Sequence, residues 1–141
     1  MLMKLENLAL SQLFLSEKKI VKINEWFDID LNNYSPIVIR FFPWSEKPVV
    51  LDGHTRAFVA ALNGIFEVPV IVDSEEISEE LESLYRNCVE WCQLANLTSI
   101  LDLSEKIVSQ EVYEKDWIGR CQAFLAERAV TSSNDLKKFD F

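Results

Sequence analysis

Glycine is scarce in this 141-residue chain, with only Gly53, Gly64 and Gly119, and no two stand close enough to build the glycine-rich turn on which an acyl-CoA transferase rests its cofactor. Histidine is scarcer still. His54 is the only one, and no GxSxG elbow accompanies it, so a Ser-His-Asp hydrolase has no support. The three cysteines, Cys88, Cys92 and Cys121, are odd in number and form no CxxC pair. They read as reduced thiols of a cytoplasmic protein, not as a disulfide framework. Long apolar runs are missing too: Lys, Glu, Asp or Asn interrupts every one before the roughly 18 residues of a membrane span. The amino terminus has no basic stretch, unbroken apolar core or small-residue cleavage site, and so does not read as a secretion signal. Basic residues number 14 against 23 acidic ones, a formal charge of -9. Such a chain repels phosphate backbones, which argues against nucleic acid as a partner unless a local basic patch reverses the field.

What is present is globular. Apolar residues make up 49% and aromatics 11%, and a chain of this length buries roughly two-thirds of its unfolded surface. Proline at 36, 43, 48 and 69 and glycine at 53 and 64 concentrate the punctuation in the middle, which places strands there and helices on both sides. Ser16 caps a helix over Glu17–Phe27, with Ile20, Ile23 and Phe27 on one face. Ile37–Phe42 and Pro48–Leu51 read as two adjacent strands. Ala57–Leu62 reads as a short apolar helix stopped by Gly64, and Val68–Val72 as a third strand. Strand, helix and strand in so short a space suit a right-handed crossover. Beyond Asp73, Ile77, Leu81, Leu84, Cys88, Trp91 and Cys92 recur at helical spacing under an acidic outer face. Val112–Arg128 carries Trp117, Cys121, Phe124 and Leu125 on one side. The expected organisation is α+β, a small mixed sheet followed by a helical region from about residue 74, in one domain over 1–130 with a loosely held tail over 131–141.

The most informative segment is Leu51-Asp-Gly-His-Thr-Arg-Ala57, where a strand ends and a helix begins. Such a junction presents free amides to a ligand. Gly53 permits close approach, Thr55 and His54 offer polar side chains, and Arg56 has a fork suited to paired oxygens. A cation in a helix's first turn opposes the dipole by about 0.3–1 kcal/mol, and a bound anion reverses that penalty. The plainer alternative is that Asp52 caps the helix and pairs with Arg56. Cys88 and Cys92, one turn apart, make with His54 only a thin metal set, and buried thiols are the usual outcome; no metal site is expected. Phe41, Phe42 and Trp44 read as core, as do Trp26, Trp91 and Trp117.

The stretch PVVLDGHTRAFVAALNGIFEVPVIV, residues 48–72, resembles the ParB/sulfiredoxin-like superfamily, in which a strand, a DGHHR-like turn, an apolar helix with a glycine stop and a VPVIV-type strand follow in order. Leu5–Phe42 fits the family's opening strand, helix and strand less specifically, and the resemblance covers about half the chain. It implies that Gly53, His54, Thr55 and Arg56 grip the phosphates of a nucleotide such as ATP, with magnesium. By the same likeness a kinase-type general base would fall on Glu17; a glutamate starting a helix also simply favours the dipole. By its chemistry Asp52 could share a magnesium ion with phosphates, and capping explains it as well. Two departures matter. A sulfiredoxin has a nucleophilic cysteine where this chain has His54, which excludes cysteine repair. The kinase pattern has a second histidine where Thr55 stands, which weakens phosphotransfer or hydrolysis. The expected function is binding of a small phosphate-bearing ligand. The alternative is a non-catalytic interaction module with a vestigial turn, its acidic helical half facing a protein partner or a second copy; no membrane is expected in either case.

Overall fold

The structure, a computed structural model, describes residues 1–128; the tail expected over 131–141 lies outside them. In chain order come β1 (Leu2–Lys4), β2 (Leu15–Ser16), α1 (Glu17–Trp26), β3 (Ile37–Arg40), β4 (Val49–Asp52), α2 (His54–Leu62), β5 (Glu67–Val72) and α3 (Glu79–Leu94). A 3-10 segment, Ile100–Lys106, leads to β6 (Ile107–Val108), α4 (Gln110–Val112), a π-helical stretch Tyr113–Ile118 and α5 (Gly119–Glu127). The fold is mixed α and β, as expected.

Ser16 caps α1 through its side chain, which accepts from the Lys19 N–H, and Ser78 caps α3 in the same way through the Leu81 N–H. Gly64, with φ +78, follows the last residues of α2 and ends it. The main sheet has the order β1-β5-β3-β4, and β3 is its pivot, running antiparallel to β4 and parallel to β5. Ile37 and Ile39 are fully buried there, as an interior strand requires. This corrects the expected crossover: β4 and β5 both pair with β3, in opposite senses, so they are neither neighbours nor parallel. The first strand of the sheet is β1, three residues paired antiparallel with β5. β2 and β6 form a separate parallel pair.

α2 meets β2, β3, α1 and the 3-10 segment, which makes it the centre of the molecule. Ala57, Phe58, Val59, Ala60 and Ala61 are all buried accordingly, and a helix surrounded by protein is apolar on every side. α3 buries Leu81, Leu84, Tyr85, Cys88, Val89 and Cys92 against the rest. Trp117 is fully buried and meets Trp91 edge to face at 6.1 Å. Of the aromatics read as core, Phe42 is buried, while Trp44 is half-buried and stacked on it at 4.6 Å. Phe41 and Trp26 are exposed, contrary to expectation. Phe41 follows the end of β3, and Trp26 stands in the last turn of α1, beyond the part that packs. The three cysteines are free and buried. Among the described residues no helix is long and apolar enough to cross a membrane.

Candidate functional site

The turn between β4 and α2 is taken at a single residue. Asp52 is still in the strand, registered against Val38. Gly53 then adopts φ +115 and is the N-cap of α2, with no side-chain cap; the first helical bond runs from the Ala57 N–H to the Gly53 carbonyl at 2.9 Å. The amides of the first turn therefore have no intrahelical acceptor. A Cβ on Gly53 would lie 2.6 Å from Ile37 Cδ1 and 2.9 Å from Arg56 Nη2, so those side-chain ends would have to move, and the φ of +115 would strain any residue but glycine. Asp52 is not the cap. Its half-exposed carboxylate stands 3.8 Å from Arg56 Nη2, a loose ion pair worth little by itself.

Arg56 also donates from Nη2 to the Pro36 carbonyl at 3.0 Å. Its Nε–H is shielded from water and has no acceptor among the described residues. The guanidinium is thus anchored at one edge and under-satisfied at another. Pro36 precedes β3, so the turn and the central strand fix the group together.

His54 is 1% exposed, and its Nε2 accepts from the Ser11 N–H at 3.0 Å. Ser11 in turn donates its hydroxyl to the Val50 carbonyl at 2.6 Å. An accepting Nε2 requires the neutral tautomer with the proton on Nδ1. Burial, and then the Arg56 charge, push the imidazole down to about 3, so it stays uncharged at neutral pH. The ring ties Ser11 to the start of α2.

Beside this turn lies a cavity of about 360 Å³, lined by Asp52, Gly53, His54, Thr55 and Arg56 and, from α1, by Lys19, Lys22 and Ile23. Four of the expected ligand residues and Asp52 are thus brought to one place. Glu17 is not: it is exposed in the first turn of α1 and does not line the cavity. The two lysines escaped the sequence reading. Their signal is the spacing of Lys19, Lys22 and Ile23, which puts them on one side of a helix. Three cationic side chains, one carboxylate and a helix N-terminus thus line this one cavity.

A second cavity, also of about 360 Å³, lies under Trp44, with Leu8, Leu10 and Leu97 in its wall. Its charged lining is balanced, Lys47 and Arg86 against Glu46 and Glu90. Among the described residues no group of three or more His, Cys, Asp or Glu is placed to hold a metal ion. Comparison of the chain with protein-family models, curated proteins and solved structures finds no match.

Proposed function

We propose that the cavity at the start of α2 binds a small phosphate-bearing molecule, a nucleotide being the ligand class. The observation that carries this reading is the convergence of Lys19, Lys22 and Arg56 with the uncapped first turn of α2 on one cavity. Cationic side chains beside the positive end of a helix dipole favour a bound anion there. A phosphate meets main-chain N–H groups and a planar guanidinium there, the partners its oxygens favour. The volume of about 360 Å³ suits a ligand larger than one phosphate, since small-molecule sites run from roughly 300 to 1,000 Å³. Asp52 in the cavity lining would be the carboxylate available to a magnesium ion shared with phosphate oxygens. Glu17, the base the family likeness would supply, stands outside the cavity, so the reading stops at binding.

Calorimetric titration with ATP, ADP, CTP and GTP in the presence of magnesium tests this. At least one is expected to bind below millimolar concentration, and Arg56→Ala is expected to weaken it by roughly ten- to a hundredfold, the range for a charge-assisted pair. If none binds, or if Arg56→Ala lowers the melting temperature and leaves affinity intact, the turn is a structural ion pair only and the interaction-module reading takes its place.

A further inference from the structure

α1 runs past the cavity at α2 with one side turned to it, since Lys19, Lys22 and Ile23 all line that space. An α-helix advances about 100° per residue, so these three residues define a stripe about 100° wide. Trp26 falls inside the stripe, about 40° round the helix from Lys22 and one turn, about 6 Å, further along it. Its side chain is 38% exposed. The chain leaves α1 at Phe27, whose ring meets Tyr34 edge to face at 6.2 Å, and the Pro36 carbonyl then accepts from Arg56 at 3.0 Å. One short segment thus links the last turn of α1 to the guanidinium at the cavity.

A tryptophan left part-open to water forgoes some of the burial that makes large aromatics core residues. A nucleobase laid on its face recovers that area, and the contact tolerates any base because every base presents a π-face. A nucleotide holds its base a sugar's length from its first phosphate. A stacking ring therefore belongs beyond the cations, about one helical turn away, and not among them.

We propose that Trp26 is a base-binding residue: with the phosphates at Lys22, Arg56 and the first turn of α2, its indole stacks on the nucleobase. The proposal rests on the nucleotide reading above and gives the base a place, which that reading left open.

The test is calorimetric titration of the full chain with ADP and, separately, with inorganic pyrophosphate, each with magnesium, for wild type, Trp26→Phe and Trp26→Ala. Wild type should bind ADP more tightly than pyrophosphate. Trp26→Ala should weaken ADP roughly five- to a hundredfold, the range for a base stacked on an aromatic ring, and leave pyrophosphate as it was. Trp26→Phe, with a smaller ring, should lie between. ADP should also quench the tryptophan emission of wild type, and Trp26→Phe, which keeps Trp44, Trp91 and Trp117, should lose that quenching. Unchanged ADP affinity in Trp26→Ala, or an equal loss for ADP and pyrophosphate, overturns the stacking role. Should Trp26→Ala fail to fold, the Trp26→Phe emission decides, and quenching retained there overturns it too. Binding of pyrophosphate but not of ADP by wild type overturns this inference and leaves the phosphate site standing. Binding of neither overturns the parent reading and this inference with it.

Discussion

Two cavities of this protein have the same volume and almost nothing else in common. The cavity at α2 gathers Lys19, Lys22 and Arg56 around a helix start, with Asp52 as its one carboxylate. The cavity under Trp44 has as many anions as cations in its lining; Lys47 donates to the Glu6 carbonyl at 2.8 Å, and Arg86 lies 3.9 Å from Glu90 and 5.8 Å from the Trp44 ring. Volume therefore assigns nothing by itself. On the proposed reading, the sign of the charge and main-chain donors with no acceptor inside the helix distinguish the two.

The largest effect expected on the α2 side of this comparison is on stability in acid. The folded protein keeps His54 neutral down to about pH 3, whereas an unfolded chain protonates it below 6.5. The unfolded state binds the extra proton between those values, so this contribution is full above pH 6.5 and is lost as pH falls toward 3, at up to about 1.4 kcal/mol per pH unit. His54→Asn, which retains an acceptor for the Ser11 N–H, should flatten the difference in urea midpoints between pH 6.5 and 4. Identical pH profiles for wild type and variant would remove the buried neutral histidine from the account.

Next in size is the turn itself. Gly53→Ala places a methyl 2.6 Å from Ile37 Cδ1 at a backbone φ of +115, and should cost about 1–3 kcal/mol in denaturant titrations. It should also displace Arg56, whose Nη2 lies 2.9 Å from that methyl, and so weaken pyrophosphate. A stable alanine variant with unchanged affinity would show that the close approach is not needed.

The smallest effect separates the cavities most cleanly. Lys22→Met should weaken pyrophosphate roughly two- to fivefold and make binding less sensitive to salt. Arg86→Met, in the other cavity, should change neither quantity. Equal losses from the two substitutions would mean that the anion responds to net charge and not to a site.

Much of this architecture was legible in the residues. Ser16 announced α1, Gly64 the end of α2, and the heptad-like recurrence from Leu81 to Cys92 the buried side of α3. The turn at Gly53 was legible because a glycine between an apolar strand and an apolar helix has few other reasons to be there. Strand pairing was not. Nothing in Val49–Asp52 or Glu67–Val72 tells that both lie against β3 in opposite senses, since partner choice is decided by tertiary packing. β1, β2 and β6 are two or three residues long, too short for alternation to register. The π-helical stretch changes hydrogen-bond register and leaves side-chain type almost untouched. Lys19 and Lys22 were missed for a different reason: lysines on a helix ordinarily face solvent, and only the fold brings these two to a turn more than thirty residues away.

The central claim is that anions gather at the start of α2 and not under Trp44. Titration of isotopically labelled protein with inorganic pyrophosphate, followed through backbone amide chemical shifts, tests it most directly. The account predicts saturable shifts at Gly53, His54, Thr55 and Arg56, with smaller ones along Lys19–Ile23 and none at Trp44, Arg86 or Glu90. Shifts that cluster around Trp44, or that spread evenly over the surface without saturating, would contradict it.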